Sequence, residues 1–384
     1  MHTMLRIFTS KGQMMRLALL TGLAATALMA PAAADVAAAQ DETAAPAFAS
    51  AGRAPDPLQR ALEPYAVYQQ DVTTLRTMNI GSSSDLARAL DLSAHHHYPY
   101  LARGVIAYGA LAAAQDPHFV QAARDAETYF GRDGLIALLA RTPAFARTLR
   151  GGPEAGQLAM NAIDGDVSRV AIAADRYLGL FSDLTRVSWG RSAIRNADAR
   201  DHELAALGSA NAARPAPETL RARLYAAPAS LRVSADPTAF GGPGFWDNVT
   251  GLSTAAPLSY SAQRWQADAD RIAAIDRMTA LAALYAIGAE NDRSDVFEGL
   301  LSEPFLANCF AAAQSGLLGC QQSSSRNHEQ AFCIAKHALG WGEGEITVNS
   351  VALCMGRLFS PAPTPTQVFT PVTSMPASDG VAVP

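Results

Sequence analysis

The sequence predicts an all-α protein, an irregular multi-helix bundle with disordered N- and C-terminal segments. Three observations carry this. Helix-start signals recur between residues 58 and 360, apolar residues there return at helical spacing, and both chain ends lack any periodicity. With 49% hydrophobic and 17% charged residues in 384, the composition is globular. About ten helices, most of them 10–20 residues long, are expected in that body.

Residues 1–34 read as a signal peptide of bacterial type. Arg16 precedes an uncharged run whose core begins at Leu17, and the run ends on Pro31-Ala32-Ala33-Ala34, small residues of the kind signal peptidase reads. No twin-arginine pair precedes the core, so unfolded export is expected. Residues 35–57 follow as a disordered leader rich in Ala and Pro. Removing residues 1–34 takes away Arg6, Lys11 and Arg16 and no acid, which leaves 27 basic against 35 acidic residues and a net charge of −8. An acidic chain is poorly matched to phosphate backbones, so no nucleic acid partner is expected. No further run is long and apolar enough to span a bilayer, so the mature protein is expected to carry no transmembrane segment. The expected location is periplasmic or secreted.

Within the body, Ser84-Asp85 and Ser294-Asp295 read as helix caps followed by first-turn acids. Leu101–Ala114 is apolar on nearly every side and rich in Ala and Gly, as a close-packed central helix would be. Asp116-Pro117 and Thr142-Pro143 place a cap before proline, and Gly151-Gly152 reads as a helix stop. Val167–Leu184 keeps Val170, Ala174, Tyr177 and Phe181 in line, and Ser261–Gly288 does the same with Trp265, Ala269, Ile272, Ala283 and Ile287. Residues 190–215 suggest a helix between polar linkers, and Ser230–Ser234 alternates briefly, as a strand would.

The stretch 227–259 carries little helix signal. At its centre Phe245, Trp246 and Asp247 follow a glycine-rich turn. The aromatics argue for a plug packed on the helices, with a lid or ligand loop as the alternative.

All four cysteines, Cys309, Cys320, Cys333 and Cys354, lie in the C-terminal part 300–358. An even number without a C-x-x-C pair reads as two disulfides in an oxidising compartment. If Phe305–Ser315 and His328–Leu339 form a hairpin, Cys309 comes level with Cys333 and Cys320 is left for Cys354. Residues 361–384 form a disordered proline-rich tail.

Candidate chemistry is sparse. In His95-His96-His97, alternate residues share a face in extended chain, so His95 and His97 are the candidate metal ligands, with His118 or an acid completing the set. His328 and His337 are nine residues apart, which rules out the H-E-x-x-H arrangement. Glu329 reads as a first-turn acid in a helix capped by Asn327. Asp164-Gly165-Asp166 lacks the glycine and the bidentate glutamate of a calcium loop. No nucleophile or cofactor motif occurs, so no catalytic residue and no cofactor is assigned. The leading expectation is an exported helical protein without chemistry of its own, an envelope binding or scaffold module for an envelope component or small ligand. The alternatives are a periplasmic hydrolase of an envelope polymer, its acids converging under residues 227–259, and a His-based metal-binding protein.

Overall fold

The structure, a computed structural model, describes residues 56–208, 213–227, 238–252, 272–340 and 350–356. The residues up to 55, read above as signal and leader, the alternating stretch Ser230–Ser234, the first part of Ser261–Gly288 and the proline-rich tail lie outside the described residues.

The protein is all-α. Among the described residues there are sixteen α-helices, one π-helical turn and no strand. In chain order they are α1 (Pro57–Thr77), α2 (Ser83–Ala94), α3 (Tyr98–Ala113), α4 (Pro117–Phe130), α5 (Arg132–Arg141), α6 (Ala144–Thr148), α7 (Gly152–Leu184) and α8 (Ser188–Arg191). Then follow α9 (Ala197–Gly208), α10 (Glu218–Ala226), α11 (Phe245–Thr250), α12 (Ile272–Ala286), α13 (Ser294–Leu301), α14 (Pro304–Ser323), α15 (Asn327–Cys333), the π-helical turn Ile334–Leu339 and α16 (Val351–Gly356). The number exceeds the ten expected because several are one- or two-turn helices joining longer ones. No described helix is long and apolar enough to cross a membrane.

The caps follow the sequence with small offsets. Asp56 opens α1 with a capping box, its carboxylate accepting from Gln59 N at 2.8 Å while Gln59 reaches back to Asp56 N. Asp116 caps α4 through Phe119 N at 2.8 Å. The cap of α2 is Ser82, two residues before the expected serine, and Arg293 rather than Ser294 precedes α13. Thr142 ends α5 instead of opening a helix. Gly151, in the left-handed region at φ 80°, opens α7 and does not stop the helix before it. Arg326, not Asn327, precedes α15, where Glu329 accepts from the backbone N–H groups of Ser325 (2.6 Å) and Arg326 (2.9 Å).

The centre is α3, buried almost all round, with α1, α7, α12 and α14 packed on it. Its small residues permit this. A Cβ on Gly104 would lie 2.6 Å from Tyr65 Cβ, and one on Gly109 would lie 2.4 Å from Met278 Sδ. Glycine at Gly104 therefore sets how closely α1 approaches α3, while Gly109 makes room for the Met278 side chain of α12. The longest helix, α7, has 33 residues and begins well before the Val167–Leu184 stretch in which its periodicity is plain. Asp164-Gly165-Asp166, which resembles a loop on paper, lies inside it, because Asp166 falls on the buried ridge Ile163, Val170, Ala173 and Tyr177.

Two disulfides clasp the C-terminal helices. Cys309 pairs with Cys354, tying α14 to α16, and Cys320 pairs with Cys333, tying α14 to α15. This corrects the pairing expected from a shorter hairpin. Helix α14 runs on to Ser323, so Cys320 lies in its last turn, just before the tight connection to α15. Cys309 lies eleven residues, about 16 Å of helix, further back and is met by α16.

Candidate functional site

Among the described residues, two of the buried polar clusters differ in how completely their atoms are used.

The first lies beneath α11. Phe245 and Trp246, at the start of that helix, are buried against Tyr65 and Tyr108, with ring centroids between 5.1 and 5.4 Å apart for Trp246–Tyr108, Trp246–Tyr65 and Phe245–Tyr108. Trp246 Nε1 donates to Asp166 Oδ1 at 2.7 Å, and Tyr65 OH donates to Asp166 Oδ2 at 2.6 Å. Gln69 donates in turn to the Tyr65 oxygen at 2.9 Å. Burial pushes the Asp166 carboxyl up to about 7, against the lowering effect of the two hydrogen bonds and of Arg169. Asp247 meets the fully buried Arg169 at 3.0 Å, and Arg169 also donates to Thr73 Oγ1. Both Asp166 oxygens are spent on core side chains, and Asp247 engages Arg169. A hydrolytic pair needs two carboxylates facing a substrate. In the described part of 227–259, Phe245, Trp246 and Asp247 form a plug pinned to α1, α3 and α7.

The second cluster sits where α2 turns into α3. Pro99 occupies the first turn of α3, where its missing N–H costs no helical bond. The three histidines make the short link before it. His95, at φ −85° and ψ 5°, keeps a nearly helical backbone, so His95 and His96 fan back over the last turn of α2, with ring centroids 4.3 Å apart. His95 Nδ1 lies 2.7 Å from Asp91 O, and His96 Nε2 lies 3.0 Å from Leu92 O. Both rings face Asp71 of α1. Asp71 Oδ2 is 3.0 Å from His95 Nε2 and 3.5 Å from His96 Nε2. One ligand atom from each of the three residues lies within 4.8 Å of the other two.

The chain turns extended at His97, φ −87° and ψ 103°, and its ring leaves the group to lie 4.7 Å from that of Tyr100. The adjacent histidines, not the alternate pair His95 and His97, thus come together, because the first residue of the link is helical rather than extended. His118, in the first turn of α4, also stands outside the group.

Burial holds the His96 imidazole down at about 4, outweighing the opposing pull of Asp71, so the ring is neutral across the physiological range. Tyr68 stacks edge-on against it at 5.1 Å. Asp71 Oδ2 is buried and has no hydrogen-bond partner, so its short approaches to the two rings are contacts and not hydrogen bonds. A recess of about 10 Å³, room for roughly one water molecule, adjoins the cluster; Val67, His95, His96, His97, Leu101 and Arg214 line it.

Comparison of the chain with protein-family models, with curated proteins and with solved structures returned no match.

Asp71 carries no motif and escaped the sequence reading. A signal was there: with Tyr68 and Leu75 it forms an i, i+3, i+7 ridge, a carboxylate on an otherwise buried helix face. His328 and His337 serve the fold. His328 Nδ1 approaches Gly190 O at 2.9 Å, and the His337 ring fills the space left by the absent side chain of Gly316.

Proposed function

We propose that this is an exported, disulfide-clasped helical binding module whose ligand site is the recess between α1 and the α2–α3 link. The observation that carries the binding role is the buried, unpartnered Asp71 Oδ2, which approaches two of the histidines that line that recess. Leaving a buried carboxylate oxygen without a donor costs on the order of 1–3 kcal/mol or more. A protein bears that cost where an outside group supplies the missing partner. Export is supported by the signal-type N-terminus and by the Cys309–Cys354 and Cys320–Cys333 crosslinks, which persist where thiols are oxidised.

Thermal-shift measurements on the tag-free mature chain test the binding role, with a panel of metal ions, inorganic anions, saccharides and short peptides. At least one class is expected to raise the melting temperature of the wild type and not that of Asp71→Asn. Equal shifts in both proteins, or none in either, would remove the recess as the ligand site.

A further inference from the structure

We infer that Asp71, His95 and His96 form a binding site for a divalent transition-metal ion of the zinc class, an inference that rests on the recess being the ligand site and names its ligand. Two ligands at 2.0–2.1 Å from a tetrahedral zinc ion stand about 3.3 Å apart. The contacts of 3.0 and 3.5 Å from Asp71 Oδ2 to the two imidazoles bracket that spacing.

Proton positions at His95 point the same way. Asp91 O can only accept, so at 2.7 Å it places a His95 proton on Nδ1, the tautomer in which Nε2 is the nitrogen that can ligate an ion. Arg214, which can only donate, approaches that Nε2 at 3.3 Å. His95 Nε2 stands 3.0 Å from a buried carboxylate oxygen that no hydrogen bond reaches, a separation that a shared cation would span. A cation between two electron-rich atoms turns their repulsion into coordination. The bond from His95 to a backbone carbonyl is the outer-shell contact that fixes a metal-bound imidazole in its tautomer.

At His96, coordination through Nε2 moves the ring proton to Nδ1 and exchanges the Leu92 contact for the ion. Two imidazoles and a carboxylate suit zinc among the divalent ions, and the recess leaves room for a water as fourth ligand. His97 lines the recess but stands outside the donor set. Arg214 is exposed, and its positive charge opposes that of the ion.

The test is equilibrium dialysis of the tag-free, chelator-stripped mature chain against Zn²⁺, with bound zinc counted by mass spectrometry and folding checked by circular dichroism. One zinc per chain is expected. His95→Ala and Asp71→Asn should each weaken binding at least about tenfold, the loss that even outer-shell changes cause. His97→Ala should leave it nearly unchanged, and Arg214→Gln should tighten it severalfold. Arg214 is at the surface, so that last variant stays informative if a buried change unfolds the chain. Substoichiometric zinc in the wild type, or affinity unmoved by both His95→Ala and Arg214→Gln, overturns the assignment. A panel compound other than a metal that binds at the recess would leave the binding module standing while removing the metal, so the two failures are distinct.

Discussion

At the scale of single residues, two of the buried aspartates, Asp71 and Asp166, are in opposite situations. Asp166 has both oxygens bonded, to Tyr65 and Trp246, and is still raised to about 7 because burial dominates. The folded state therefore holds a proton there that the unfolded chain releases near pH 4. Stability from this residue is greatest below about pH 4 and is lost as the pH rises toward 7. Urea unfolding at a series of pH values should show the wild type losing stability relative to Asp166→Asn across that window. The divergence should be on the order of a few kcal/mol. Parallel curves would mean that the carboxyl ionises freely in the fold. Asp71 has an oxygen without a hydrogen bond, which is why it, and not Asp166, is the basis of the proposed ligand site. Asp71 showed in the sequence only as an acid on an otherwise apolar ridge, and Asp166 only within a rejected calcium loop. Each is one acid among 35, and its burial depends on helices far away along the chain. The histidine triplet did draw attention. Which two of its members converge depended on one backbone conformation, at His95, that residue type alone does not dictate.

At the scale of elements, α3 shows which local patterns transfer to structure. Leu101–Ala114 has no polar face, so it could lie only inside the bundle, and Tyr98–Ala113 does. The long α7 was half visible, since Val167–Leu184 repeats cleanly while Gly165 and its flanking acids disguise the earlier turns. Gly104 lets α1 lie against α3. Gly104→Ala should cost about 1–3 kcal/mol, more than an ordinary helix-favouring change gains, because Tyr65 Cβ and the backbone around Ala61 block the new methyl. Chemical denaturation checks this, and an unchanged or higher midpoint would mean that the two helices separate freely.

The cysteine pairing needed helix lengths. About two extra turns of α14 moved Cys320 beside Cys333. The Cys309–Cys354 loop spans 45 residues and the Cys320–Cys333 loop 13. Chain entropy then assigns about 4 and about 3 kcal/mol respectively. Replacing Cys309 and Cys354 by alanine should lower the melting temperature more than replacing Cys320 and Cys333. The reverse order would show that the short crosslink carries strain-free packing the long one lacks.

At the scale of the whole molecule, two crosslinks in a helical body fit a protein outside the cytoplasm, and maturation after crossing a membrane is the proposal that joins them to the export-type N-terminus. The all-α class could be read from the sequence because caps, periodicity and the scarcity of strand patterns agree. The packing order of the helices could not, since each apolar face fits many neighbours equally well. The most direct measurement is non-reducing peptide mapping of the protein recovered from fractionated cells that make it naturally. A chain from the periplasm or medium, beginning after residue 34 and yielding Cys309–Cys354 and Cys320–Cys333 crosslinked peptides, is the expected result. A cytosolic chain with its first residues intact and four reduced cysteines would contradict export.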